Sequence, residues 1–252
     1  MTGEAFDPLE AEPIARKRLV LFYLIDVSGS MDGQKIGVVN QVMEEVIPEI
    51  RNVGGADSDI QLAVLTFSSG TSWMYPQPSS IETFQWSRLS ADGMTSMGGA
   101  FLELDNKMSR SAFLSAPHLS FAPVVFLLTD GYPTDDALGA LEKLKLNRWF
   151  KSSLKVALGI GDFDRDILEA FTGNPELVLS TATGKNLAQL IRFATISSST
   201  IGSRSMGYGS GGADSEDSSA LKEKAFIDMK KDAFGDEQNP TVDDIDMDDS
   251  GW

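Results

Sequence analysis

The chain has 252 residues, no cysteine, and 37 acidic against 21 basic side chains, for a net charge of −16. Without cysteine it has no disulfide, thiolate zinc site or cysteine nucleophile, and this charge argues against binding nucleic acid backbones or anionic membranes. Residues 1–13 are acidic, the reverse of a secretory signal, and no apolar run nears the roughly 20 residues that cross a bilayer, so a cytoplasmic protein is expected.

After a leader over 1–17, the run Leu19-Val-Leu-Phe-Tyr-Leu-Ile25 ends abruptly in Asp26-Val-Ser28-Gly-Ser30. A short continuous apolar run closed by a Gly/Ser turn reads as a strand buried on both faces, which implies a parallel sheet between helices. The acid and hydroxyls then fall past its carboxyl end, where open α/β sheets place their ligand sites. Asp26, Ser28 and Ser30 offer only oxygen, the donor that hard cations such as Mg²⁺ or Ca²⁺ prefer. Taken alone, the turn reads equally well as a helix cap, because Asp and Ser are favoured N-cap residues.

Ile36, Val39, Met43, Val46 and Ile50 then recur at helical spacing, with Pro48 expected to kink or end that helix. Residues 60–67 read as a second strand, and 72–77 as a short antiparallel edge strand, while 81–88 carry no clear pattern. A small-residue loop over 91–99 opens a helix with Ala100, Leu104 and Met108 on one face. An irregular insertion over 109–122 holds the single histidine, His118, which is assigned no role. Residues 123–129 form another apolar strand ending in an acid, Asp130, and Thr134 or Asp135 is expected to cap one helix running to about 150. A strand over 154–160, a helix over 164–171, a strand over 177–179 and a helix over 185–201 complete the body. This alternation predicts an α/β fold, doubly wound, with a mostly parallel sheet, helices on both faces and one antiparallel edge strand. From Gly202 onward there are 13 acids and 5 bases, which reads as a flexible Ser/Gly linker and an acidic, disordered tail with a short helix over 221–234.

Three separated turns thus carry oxygen ligands: Asp26/Ser28/Ser30, Thr95 and Asp130. Their order and positions at strand ends resemble the metal-ion-dependent adhesion site (MIDAS) of von Willebrand factor A domains, over residues 18–201. The resemblance implies a divalent-metal site made by Asp26, Ser28, Ser30, Thr95 and Asp130, holding Mg²⁺, with Mn²⁺ or Ca²⁺ as alternatives. It implies a non-enzymatic module that takes a carboxylate from a protein partner. A narrower likeness, carried by residues 123–135, Asn147-Arg-Trp149, Leu158-Gly-Ile-Gly-Asp162 and the segment over 191–203, is to the TerY family of tellurite-resistance clusters. That family implies a bacterial cytoplasmic stress-response protein encoded near a protein kinase and a metal-dependent protein phosphatase, either of which is a candidate partner. The absence of cysteine departs from relatives with a zinc-binding tail.

Two rival readings follow from the same residues. One is a metal-dependent phosphohydrolase with Asp26 as nucleophile, but Ser28 stands where such enzymes need a second acid. The other is a structural scaffold whose Asp-x-Ser-x-Ser turn only caps a helix.

Overall fold

The computed structural model describes residues 16–53, 58–114, 120–181, 184–204 and 215–235. Most of the leader, His118 and the acidic segment over 236–252 lie outside them. In chain order the elements are β1 (Lys17–Asp26), α1 (Gln34–Ile50), β2 (Ser58–Phe67), β3 (Thr71–Trp73), β4 (Ser79–Ser80), α2 (Met97–Lys107), β5 (Val124–Thr129), α3 (Ala137–Leu144), α4 (Arg148–Ser152), β6 (Leu154–Ile160), α5 (Arg165–Thr172), β7 (Val178–Thr181), α6 (Gly184–Arg204) and α7 (Ser215–Phe234).

β1 is central because it is apolar on both faces. Leu19, Leu21, Tyr23 and Ile25 face α1 and α6, while Val20, Phe22 and Leu24 face the opposite layer with α2, α3 and α5. Each fully buried side chain of this size contributes about 1.5–3 kcal/mol, so the strand is the main anchor of both cores. The sheet order is β3-β2-β1-β5-β6-β7, with β4 also on β2. β1 is parallel to β2 and β5, β5 to β6, and β6 to β7, whereas β3 and β4 are antiparallel to β2. The expected edge strand is therefore two short pieces divided by the turn over 74–77.

Ile25 lies opposite Leu128, so the next residues, Asp26 and Thr129, end neighbouring strands at one edge of the sheet. That register brings the predicted turns together.

Some local expectations are corrected. α1 continues through Pro48 to Ile50, because a proline in the last turn removes only one internal hydrogen bond. The helix expected up to about 150 breaks at Asn147. Its side chain accepts from the amides of Trp149 and Phe150 to start α4, and donates to Asp105 Oδ1 at 2.7 Å. The unassigned segment after β4 is held to α1 by the buried Asn40, whose Oδ1 accepts from Trp86 Nε1 and the Leu89 amide.

The region read as linker and tail differs most. α6 extends to Arg204, and α7 starts six residues before 221. α7 is packed rather than solvated: Phe226 is fully buried against Phe193, and Lys230 Nζ donates to the carbonyl of Glu176 at 2.7 Å. Two aromatic anchors, Phe226 and Phe234 on Phe193, and one charged clamp hold it, with Ile227 also packed against the core.

Candidate metal site

The three predicted turns meet beyond the carboxyl ends of β1 and β5. Asp26 is fully buried, and both its oxygens are engaged: Oδ1 accepts from the Ser28 amide at 2.8 Å and Oδ2 from Thr129 Oγ1 at 2.6 Å. Burial raises the pKa of its carboxyl above the usual range. The hydrogen bonds from Ser28 and Thr129 oppose that shift, and the charge of Asp130 adds to it. Ser28 Oγ lies 3.1 Å from Ser30 Oγ, and Ser30 Oγ donates to Asp130 Oδ1 at 2.7 Å.

Thr95 arrives on a separate loop that three backbone bonds fix in place. Gly29 N donates to Gly93 O at 3.0 Å, Asp92 N to Val27 O at 2.8 Å, and Ser96 N to Ser68 O at 2.7 Å. Gly93 has φ +88°, and a Cβ there would stand 2.6 Å from Ser69 Oγ, so glycine is needed for both conformation and space. The Thr95 carbonyl accepts from the amide and hydroxyl of Thr134 on the loop after β5. Its own hydroxyl makes no hydrogen bond among the described residues. A Cβ built on Gly131 would lie 3.7 Å from both Ser30 Oγ and Thr95 Oγ1, so these two hydroxyls face the same small space. All five predicted residues therefore converge.

Three further residues complete the site. Thr129 orients Asp26. Asp135, expected as a candidate cap of the following helix, instead caps α2: it accepts from Ser96 Oγ at 2.7 Å and from the amides of Gly98 and Gly99 at 2.9 Å each. Asp136 caps α3 through the Gly139 amide. A Cβ on Gly98 would come within 2.9 Å of the Asp136 carbonyl, so this close approach of α2 to the loop depends on glycine. Lys35 is the third, with its ammonium bound to Asp130 Oδ2 and, at 3.2 Å, to the Ser30 carbonyl. A lysine in the first turn of a helix sits at the wrong end of the helix dipole. The buried carboxylate of Asp130 accounts for it.

Two carboxylates and three hydroxyls make an all-oxygen donor set of the kind Mg²⁺ or Mn²⁺ takes. No group of three or more His, Cys, Asp or Glu side chains suited to a metal occurs among the described residues, so hydroxyls must supply part of the donor set. The Lys35 ammonium already rests against this set as a cation, an independent sign that the cradle is built for positive charge. A metal held by Asp130 must share that carboxylate with Lys35 or displace it. Lys35→Met should therefore tighten Mg²⁺ or Mn²⁺ binding by about tenfold, the scale of removing one unit charge beside a divalent ion. Calorimetric titration checks this, and unchanged or weaker binding would show that Lys35 does not compete. Around the site, Met94 and Tyr132 are 59% and 54% exposed, and Tyr132 donates its hydroxyl to Asp162 at 3.0 Å.

A family model for the von Willebrand factor type A domain matches residues 21–193. Among curated proteins, inter-alpha-trypsin inhibitor heavy chain H1 of Bos taurus is 27% identical over 166 residues, covering 60% of this chain and 17% of that protein. Among solved structures, a von Willebrand factor type A protein from Catenulispora acidiphila superposes with a TM-score of 0.54 at 21% identity, covering 73% of this chain and 43% of the other. Proximal thread matrix protein 1 of the mussel byssus, solved with a zinc-occupied MIDAS motif, gives a TM-score of 0.51 at 20% identity, covering 73% and 46%. The chain thus spans less than half the length of each of these relatives, and at these identities the solved structures bear on fold alone. With the predicted sheet, five convergent oxygen-bearing side chains and a family model covering most of its length, the chain belongs to the von Willebrand factor type A domain family.

Proposed function

We propose that the chain is a divalent-metal-dependent protein-binding module, not an enzyme, which recognises an acidic side chain of a partner protein. The observation that carries this reading is the donor set itself. Three neutral hydroxyls and two carboxylates supply ligands, and both carboxylates are already hydrogen-bonded or ion-paired, which leaves no free nucleophile or general base. When bound, Mg²⁺ (or Mn²⁺ or Ca²⁺) supplies an electrophilic position for an incoming carboxylate. The chain's own residues do the rest: Asp26 fixes the Ser28 amide, Ser30 and Asp130 hold each other, and Thr95 presents its hydroxyl from a loop anchored to the strands on either side. Met94 and Tyr132 give the rim an apolar surface for the residues flanking that acid.

The phosphohydrolase reading is disfavoured by the same geometry, because Asp26 is buried and both its oxygens are committed to Ser28 and Thr129. A pure scaffold gives no role to the Thr95 hydroxyl, which has no hydrogen-bond partner among the described residues and faces the same space as Ser30 Oγ. The likeness of residues 123–135 and 147–162 to TerY proteins supports a finer proposal: a cytoplasmic role in a bacterial stress response such as tellurite resistance. Its partner there would be a protein kinase or a metal-dependent protein phosphatase encoded nearby. Among the described residues no helix is long and apolar enough to cross a membrane.

The test is affinity capture with the full chain in Mg²⁺, eluting with chelator, beside Thr95→Ala. The expected result is a protein released by chelator from the wild type and captured weakly by the variant, whose metal titration changes little. Equal loss of metal and partner would make Thr95 an ordinary ligand, and capture indifferent to chelator would contradict the proposed function.

A further inference from the structure

We infer that the first half of α7, through Glu223, is a strap that opens and closes on the body independently of the second half. α7 lies beyond the residues matched by the family model, 21–193, and the proposed function does not use it. Its inward positions recur at helical spacing: Ser219, Lys222, Phe226 and Lys230 are all buried, and only one of the four is apolar. The second half is held firmly. Phe226 and Phe234 pack on Phe193, Ile227 joins the same core, and Lys230 Nζ donates to the Glu176 carbonyl at 2.7 Å. Over 219–223 no buried side chain is apolar, and Leu221 is 70% exposed. Ser219 Oγ donates within the helix, to Glu223 Oε1 at 3.2 Å. Among the described residues, the one side-chain hydrogen bond from 219–223 to the body runs from Asn174 Nδ2 to Glu223 Oε2, at 3.4 Å.

Lys222 works against closure. Its Nζ is buried with no hydrogen-bond partner among the described residues. Lys155, buried on β6 with its ammonium on the Ser153 and Phe150 carbonyls, adds a like charge from below. An ammonium held out of water without a partner opposes docking, and opening returns it to water. Burial first, then the charge of Lys155, brings the pKa of Lys222 from 10.5 down to about 8. At neutral pH, closure around the charged side chain is thus disfavoured by about a hundredfold or more relative to a neutral one. Packing does not offset this, because the first half of α7 does not seat tightly. A cleft of about 330 Å³ is lined on one side by Ser219, Ala220 and Glu223 and on the other by Phe150, Phe171 and Thr172. Opening widens this cleft, while Phe226 and Lys230 keep the second half in place.

Amide hydrogen exchange of the full chain at pH 7, read residue by residue, tests this. In the wild type the amides of 219–223 should exchange about tenfold or more faster than those of 226–234. Lys222→Met should slow the first group by about tenfold or more and leave the second group and the β1 amides nearly unchanged. Lysine and methionine have similar helix propensities, so ordinary fraying of a helix end would not respond in this way. Lys222→Met should fold at least as well as the wild type, since an apolar chain of similar length replaces an unpartnered charge. Lys222→Arg keeps the charge and should keep the fast exchange. Equal exchange in the two halves of the wild type would overturn the strap, as would a Lys222→Met effect that is absent or spread evenly along α7. Slowing by Lys222→Arg as large as by Lys222→Met would overturn the role of the charge. None of these outcomes depends on metal, so a failure here leaves the proposed function standing.

Discussion

Asp26→Asn should eliminate specific binding of Mg²⁺ and Mn²⁺ while leaving the metal-free protein as stable as the wild type or more so. The carboxyl of Asp26 is buried, and its pKa lies above the ordinary carboxylate range, chiefly through desolvation. The folded, metal-free chain therefore holds a proton on this group more readily than the unfolded chain does. Its stability falls as pH rises from the ordinary aspartate value, near 3.9, through the raised one, and at neutral pH the ionised group is a net cost. Asparagine removes that cost, keeps an oxygen for the Ser28 amide, and turns its amide toward Thr129 Oγ1, a hydroxyl able to accept as well as donate. In chelator the variant should thus melt at the same temperature or higher. With a hundredfold excess of metal over Kd, the wild type should gain about 2.7 kcal/mol, roughly 5–10 °C for a chain of this size, and the variant nothing. A variant that unfolds in chelator would instead make Asp26 a structural residue, and one that still gains stability from metal would remove it from the ligand set.

Asp135→Ala should weaken metal binding by about 10–100-fold, although Asp135 is no ligand in this account. One carboxylate takes hydrogen bonds from Ser96 Oγ and from the Gly98 and Gly99 amides, so it ties the start of α2 to the loop after β5. Thr95 lies two residues before α2, and Asp130 precedes Asp135 on the same loop. Removing a group that orients ligands in this way typically costs one to two orders of magnitude in affinity. It also strips α2 of its cap and of a negative charge at its positive end, a further loss of about 1–2 kcal/mol in stability. Asp135→Asn should recover part of both effects. Calorimetry for the metal and thermal melting for the cap separate the two. Unchanged affinity in a destabilised Asp135→Ala would confine its role to the helix.

The five candidate ligand positions stand out in the sequence, and the structure brings them together, because each follows from local chemistry. Asp26 and Asp130 end apolar runs, the hydroxyls alternate with Gly29, and Thr95 lies in a small-residue loop. The parallel core was legible for the same reason, since runs such as Val124–Thr129 have no polar face to place in water. Contacts that depend on register or on side chains reaching between elements were not legible. Asp135 satisfies the rule for capping α3, yet the structure spends it on α2, 36 residues earlier in the chain, and leaves α3 to Asp136. Lys35 reads as an ordinary surface lysine until the loop after β5 is placed against it, and its position in the first turn of α1 was the one available cue. α7 was underestimated because its buried face carries Lys222 and Lys230 beside Phe226 and Phe234, which interrupts the apolar pattern.

The central claim is that these five oxygen ligands bind one divalent cation. The most direct test is titration of the full chain with Mn²⁺ by electron paramagnetic resonance, in parallel with Asp26→Asn and Asp130→Ala. The acidic residues over 236–252 offer weak, diffuse sites common to all three proteins, so the difference between wild type and variants is what counts. The account predicts one additional bound ion per wild-type chain, displaced by Mg²⁺ and missing from both variants. Indistinguishable isotherms for the three proteins would contradict it.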